Sequence, residues 1–391
     1  MRPGDFSGEA PGELVREVGP RGEYWAYVPK PLPPVLAFGI SLVRRLSEAD
    51  QAVGELNGVG GMLPNPHLLI GPFLRREAIE SSRIEGTITD LRQFVLLEAD
   101  PDAEVRDPDW EEVHNYVKAL EYGLQRLPTL PVSRRLMKEV HERLMAGVRG
   151  DGKRRGEFRD RQNAMGREGQ DASECRFVPP PVPQMNQALE DLERYINVPS
   201  ELPPLIDLAL IHYQFETIHP FLDGNGRLGR LLISLLLQEK RCLAQPLLYL
   251  SAFFERNRDD YVDHLLRVSR EGAWEAWIAF FLTAVATQAR EASGRCRELL
   301  ELWKTYREDL LGAGKSANLL KLLDFLFDRP AIRATEAAQK LGITFAAAQR
   351  NIERLISADI LVEVTGKARD RIYFAPKILA IVQDEREGRD P

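Results

Sequence analysis

His219-Pro220-Phe221-Leu222-Asp223-Gly224-Asn225-Gly226-Arg227-Leu228-Gly229-Arg230 sits between two apolar, helix-periodic segments, Leu205 to Ile218 and Gly226 to Gln238. A Gly-Asn-Gly that opens a helix presents consecutive backbone N–H groups to an anion, reinforced by the positive end of the helix dipole. Gly224, Asn225 and Gly226 therefore read as a phosphate cradle. Arg227 and Arg230, three residues apart, occupy adjoining parts of one helix face, where guanidinium forks grip further phosphate oxygens. Asp223 is a hard oxygen ligand beside the cradle, suited to a Mg²⁺ shared with a polyphosphate. His219 is the side chain of the segment able to take a proton near neutral pH. Base, metal ligand and polyphosphate site fall within twelve residues, and the bland readings (structural histidine, turn, solvated arginines) would have to coincide independently.

Working outward, most of the chain has helical period. Patterns run from Pro66 to Leu97, Glu111 to Leu127, Ser133 to Val148, Pro183 to Ile196, Asp259 to Ser269 and Trp274 to Lys304. Gly156 to Pro183, with several glycines and Phe177-Val178-Pro179-Pro180-Pro181, is incompatible with a helix and reads as a short hairpin plus a loop. The tail changes character: short helices over Thr335 to Leu341 and Phe345 to Ala358 around a tight turn, then strands over Ile360 to Thr365 and Arg371 to Ala375. Helix, turn, helix and hairpin is the order of a winged helix-turn-helix. Its exposed second helix offers Thr344, Gln349, Arg350 and Arg354 to DNA, but Asn318 to Lys377 carry a net charge of only +3, so DNA binding, dimerisation and protein docking stay open.

The 391 residues carry 52 Lys+Arg against 59 Asp+Glu, a net charge of −7, with 28% charged. That acidic balance argues against a chain that coats nucleic acid or an anionic membrane along its length. No apolar run reaches the roughly 18 residues of a membrane helix. Without a signal-like apolar stretch near the start, and with Cys175, Cys242 and Cys296 widely spaced, a cytoplasmic protein with reduced thiols is expected. Two lures are set aside. Gly312-Ala313-Gly314-Lys315-Ser316 lacks the earlier glycine of a P-loop and reads as a linker. His141-Glu142 starts an HExxH zinc pattern whose second His is Met145.

The quoted stretch resembles the Fic family motif HPFx[DE]GNGRxxR at every fixed position. The resemblance implies an all-α, mainly helical core with a small β-hairpin flap. It also implies AMP transfer from ATP to a Ser, Thr or Tyr hydroxyl of a target protein, with His219 as base, ATP and Mg²⁺ at Asp223, and pyrophosphate as leaving group. Gly156 to Arg159 and Gln162 to Gly166 are similar to the family's flap, which lies over the nucleotide and pairs with the target backbone, so Met165 and Gly166 are implied nucleotide neighbours. Asn257-Arg258 through Tyr261 are also family-like, implying an adenine contact for Tyr261. Ser81-Ser82-Arg83-Ile84-Glu85-Gly86 matches the inhibitory [ST]xxxE[GN] pattern, in which Glu85 would pair with Arg230 and take the room of the γ-phosphate. Ser81 and Glu85, four apart, share a helix face.

The expected organisation is an N-terminal helical region with the inhibitory helix (1–105), a Fic catalytic domain (106–310) and a winged helix-turn-helix domain (316–380). Two rivals to autoinhibited AMP transfer stay open: transfer of another nucleotide or a phosphoryl group, and a transcriptional regulator with a nucleotide-sensing site. Homodimerisation is likewise open.

Overall fold

The computed structural model describes residues 1–19, 22–61, 67–100, 107–148, 154–166, 170–311, 317–367 and 369–383. The chain opens with an antiparallel hairpin, β1 (Gly12–Gly19) and β2 (Gly22–Pro29). Helices α1 (Ile40–Gly61), α2 (His67–Ile84), α3 (Leu91–Glu98), α4 (Pro108–Arg126) and α5 (Arg134–Leu144) follow. Then come α6 (Val182–Asn197), α7 (Pro204–Ile218), α8 (Asn225–Glu239), α9 (Ser251–Arg256), α10 (Arg258–Glu271) and the long α11 (Trp274–Leu311). The tail comprises α12 (Ala317–Asp328), β3 (Ala331–Arg333), α13 (Ala334–Leu341), α14 (Phe345–Ser357), β4 (Val362–Glu363), β5 (Ile372–Phe374) and α15 (Pro376–Gln383), with sheet order β3-β5-β4.

α7 organises the core because it is buried on every side: all residues from Leu205 to Ile218 are buried, most of them apolar. Trp277 of α11 donates its indole N–H to the Ala209 carbonyl inside α7, at 2.9 Å. The helix ends at His219, whose left-handed backbone (φ 49°, ψ 61°) turns the chain sharply out of the core centre. The functional loop is thus a short strap between two buried helices, α7 and α8. Flanking starts follow ordinary capping: Ser133 Oγ accepts the Leu136 N–H, and Asp107 precedes Pro108 at the start of α4.

Several expectations need correction. The N-terminal region is not purely helical, because β1 and β2 pair over their whole length. That hairpin docks on the Gly156–Pro183 segment: the Tyr27 N–H donates to the Val178 carbonyl at 2.9 Å, and Tyr27 packs against Phe177 in a small separate core. The flap itself, expected as a hairpin, is among the described residues a single antiparallel bridge, Met165 to Phe177, since the prolines after Val178 lack ladder donors and the glycines weaken a strand. Pro66 to Leu97 is two helices: Gly86 (φ +95°) breaks the backbone and α3 restarts on the Asp90 cap. Helix α1, which pairs with α11, was not anticipated. In the tail, helices and strands occupy the expected stretches, with β3 as an addition. The 312–316 linker and the division near residue 105 lie outside the described residues. No described helix is long and apolar enough to cross a membrane.

α2 is fixed at its N-terminal half. Arg75, 1% exposed, forms a two-pronged ion pair with Glu98 of α3 (2.7 and 2.9 Å) and donates to the Asp328 carbonyl at the end of α12. A buried pair broken from one side leaves an uncompensated charge, at a cost of roughly 3–5 kcal/mol. Arg75→Ala should therefore lower stability by about that amount. Removing the exposed Arg267 from its pair with Glu271 should change it by less than about 1 kcal/mol. Denaturant titration of both variants checks this, and equal midpoints would overturn it.

Candidate active site

The loop is closed by its own asparagine. Asn225 Oδ1 accepts the Phe221 N–H and Nδ2 donates to the Phe221 carbonyl, both at 2.8 Å, while Phe221 is fully buried. The Asn225 side chain is thus spent on loop closure, which leaves the main chain, the part of Gly224-Asn225-Gly226 expected to meet an anion, for that contact. Asp223 Oδ1 accepts the Gly224 N–H at 2.8 Å, and the side chain is 34% exposed at the mouth of the loop. Gly224 adopts φ +75° as the residue preceding α8.

His219 donates Nδ1–H to the Glu216 carbonyl (3.3 Å), which leaves Nε2 as the acceptor nitrogen. Burial holds its pKa down at about 4, so the ring is neutral at physiological pH. Two side chains of the flap segment secure its backbone. Arg159, buried and facing only carbonyls in its hydrogen bonds, donates to His219 O (3.0 Å) and Pro180 O (2.5 Å); Asn163 donates to Phe221 O (2.8 Å).

The two arginines have separate environments. Arg227 meets the buried Glu112 of α4 at 3.2 Å, and the same carboxylate oxygen accepts the Thr87 hydroxyl at 2.8 Å. Arg230, 3% exposed, donates to Ser81 Oγ (2.9 Å), Ser81 O (2.8 Å) and Glu85 Oε1 (2.8 Å). Glu85 Oε1 also lies against Gly226, so close that a methyl group on that glycine would overlap it. A carboxylate therefore occupies the N-terminal end of α8, the position that favours an anion. Burial alone would raise the Glu85 pKa, but the charge and hydrogen bond of Arg230, with Arg227 and His219, outweigh it and hold it below the ordinary value. Behind Arg230, Glu216 is buried with Oε1 unpartnered, and burial raises its pKa to about 7 against the pull of Arg230.

The structure brings Ser81, Glu85, His219, Asp223, Gly224, Asn225, Gly226, Arg227 and Arg230 together. Tyr261 is a correction: it is 3% exposed, stacked on Phe254 with centroids 4.5 Å apart, and its hydroxyl donates to His212 Nε2 at 2.7 Å. His212 in turn donates Nδ1–H to the Gly229 carbonyl (3.3 Å), so Tyr261 braces α8 from within the core and presents no open face to a base. Met165 is tied to Phe177 and packs in the small N-terminal core, while the exposed Gly166 lies against Cys175. Glu112, Thr87 and Arg159 were missed as members of this constellation, since each reaches it from a distant segment.

This fold and site define a class: a helical scaffold in which a helix start, covered by a carboxylate, lies beside a neutral histidine. Residues 43–125 match the Fic/DOC family N-terminal model and residues 131–237 the Fic/DOC family model. These regions of the chain carry the Fic/DOC family N-terminal and Fic/DOC domains. It is 33% identical over 144 residues to protein adenylyltransferase Fic of Drosophila erecta, covering 36% of this chain and 26% of that protein. The chain thus spans about a quarter of the length of that relative. In fold it is similar to a Fic family protein from Desulfovibrio desulfuricans, with TM-score 0.57 and 19% identity over 88% of this chain and 98% of the other. It is also similar to a Fic domain containing signaling protein from Bacteroides thetaiotaomicron, with TM-score 0.51 and 19% identity over 64% and 95%.

The depressed His219 pKa has a measurable consequence. Between its ordinary 6.5 and about 4, the unfolded chain binds a proton at residue 219 that the folded chain does not. Stability therefore falls as pH is lowered through that window. His219→Asn should flatten this part of the pH dependence relative to wild type. Denaturant midpoints at pH 7 and pH 4.5 measure it, and an unchanged difference between the two would refute it.

Proposed function

We propose that the protein transfers AMP from ATP to a Ser, Thr or Tyr hydroxyl of a target protein and of itself, and that Glu85 restrains the reaction. The observation that carries this reading is the Glu85 carboxylate, held by Arg230, resting on Gly226 at the start of α8. An anion pocket is there, and the chain's own anion fills part of it. His219 Nε2 takes the hydroxyl proton, the freed oxygen attacks the α-phosphorus, the bond to the bridging oxygen breaks, and pyrophosphate leaves. The main-chain amides of Asn225 and Gly226, that of Gly224 once Asp223 turns from it, and the guanidinium of Arg227 offset charge on the phosphoryl oxygens, and Met165 and Gly166 border the nucleotide. The donor set suits Mg²⁺: one carboxylate at the loop mouth, Asp223, completed by phosphate oxygens. When bound, the ion would neutralise polyphosphate charge. Labels from α-³²P-ATP should appear on protein and those from γ-³²P-ATP should not; the reverse would support phosphoryl transfer.

Under this reading, His219→Ala loses transfer by at least about 10²-fold while retaining ATP binding. Glu85→Gly raises self-modification strongly and tightens ATP binding, because it vacates the room beside Gly226 and releases Arg230 for the γ-phosphate. Arg230→Ala does not imitate it, since it removes the clamp along with the restraint. Transfer rates for wild type and these variants decide the matter; Glu85→Gly equal to wild type would return Glu85 to a mere helix-end carboxylate.

The tail we read as a winged helix-turn-helix domain. Its α14 exposes Thr344, Arg350 and Arg354, whereas Gln349 is bonded to the Tyr373 hydroxyl. If Arg350 and Arg354 meet DNA phosphates, each alanine variant lowers the salt slope of binding by about one. Gel shifts that detect no complex at low salt would favour a docking role instead.

A further inference from the structure

The run His141-Glu142-Arg143-Leu144-Met145 starts like a metal-binding pattern and breaks it at Met145. His141 and Met145, four apart at the end of α5, nonetheless share a face, and that face is the floor of the anion loop. The Gly156 N–H donates to His141 Nδ1 at 2.9 Å, and His141 Nε2–H donates to the Asp223 carbonyl at 3.0 Å. The ring, 1% exposed, stacks on Phe221 with centroids 3.8 Å apart and planes 14° from parallel. Because Nδ1 faces a donor and Nε2 faces an acceptor, one neutral tautomer satisfies both. Met145 Sδ accepts from Arg227 Nη2 at 3.5 Å. Both side chains lie directly under Gly224: a Cβ there would stand 2.7 Å from Met145 Sδ and 3.4 Å from His141 Nε2.

We infer that His141 is a positioning residue for the transfer site: it fixes the Asp223-Gly224 turn through the Asp223 carbonyl and the Phe221 ring, and ties the flap's first residue, Gly156, to the same turn. The inference rests on the nucleotidyl-transfer reading above. His141 touches no reacting atom. Its effect is to hold the main-chain cradle and the Asp223 carboxylate in register with His219, which ends α7 two residues before Phe221. Neither ring nitrogen is left for a metal, and the Phe221 stack sets the ring's angle. A turn released from this floor would drift at the ångström scale, where misplacement costs about 10² in rate.

The test uses the full-length chain in a Glu85→Gly background, which removes the restraint. His141→Gln places an amide N–H near the Nε2 position, His141→Asn places a carbonyl oxygen near the Nδ1 position, and His141→Phe keeps only the stacked ring. His141→Gln should hold kcat for AMP transfer within about tenfold of the parent, while His141→Asn and His141→Phe lose on the order of 10². Mg·ATP affinity by calorimetry should follow the same order, with thermal midpoints of the three variants close together. A merely structural histidine would not be rescued by Gln in preference to Asn. In ¹⁵N-histidine NMR of wild type at neutral pH, position 141 should carry its proton on Nε2 and position 219 on Nδ1. An Nδ1–H tautomer at His141, or Asn equal to Gln in both kcat and affinity, would overturn the inference. If the parent transfers no AMP, the nucleotidyl-transfer reading fails, while Mg·ATP affinity and the tautomer still judge His141.

Discussion

A guanidinium buried to 3% exposure must be neutralised and its donors satisfied, and Arg230 imposes that requirement on everything around it. Its position is set by α8, whose start is locked by the Asn225 clamp on Phe221. Glu216 contributes little compensating charge, because burial without a partner for Oε1 keeps its proton affinity high. The remaining partners come from one face of α2: Ser81 with its hydroxyl and carbonyl, and Glu85 with the charge. The helix that carries them cannot be placed independently of α8. Arg258 reinforces the arrangement by donating to the Ile84 carbonyl at the end of α2 (3.0 Å).

Arg227 extends the same logic to α4. Its ion pair with Glu112 brings in the Thr87 hydroxyl, and the Ile88 N–H donates to Asp109, so the chain just after Glu85 is held at two points on the start of α4. Each motif arginine thus faces an acid from the N-terminal half of the chain. The Fic/DOC N-terminal match, 43–125, contains both of those acids, and the Fic/DOC match, 131–237, contains both arginines. The two matched regions form one electrostatic unit rather than a site with an appendage.

What was legible in the sequence follows from locality. His219, Asp223, the Gly-Asn-Gly turn and the arginines are contiguous, so their chemistry can be read from spacing, and Ser81 and Glu85 are adjacent on one turn of helix. Glu112, Thr87 and Arg159 bear no such mark, because a buried Glu, Thr or Arg looks like a surface one until its partner is known. The Asn225 side chain's two bonds to Phe221 were not legible for the same reason: they depend on the fold of the loop, not on its composition. Tyr261 is near the site in sequence pattern but behind Arg230 in space. The β1–β2 hairpin went unread because the stretch that its apolar residues pack against, Phe177-Val178, lies about 150 residues on. Helix α1, with glycines at 54, 58, 60 and 61, offers a diluted helical signal whose stability comes from packing on α11 rather than from propensity.

The way Glu85 leaves Gly226 is constrained by the two ends of α2. Moving the helix as a body would break the Arg75 pair with Glu98 and the contact of Gly71 with Asp328, where the backbones approach so closely that a side chain at 71 would clash. It would also strand Arg230 without Ser81. Swinging the Glu85 side chain alone breaks one ion pair, and its carboxylate is 42% exposed, so water is at hand to solvate it. Buried pairs lost from one side cost several kcal/mol, whereas partly exposed ones cost little. Under the proposed function, a polyphosphate arriving at the start of α8 would supply the anion that Arg230 then needs, so the exchange would keep the buried charge compensated. If Glu85 restrains the site as proposed, the low-cost route to an open site is a rotamer change at residue 85 on a stationary helix.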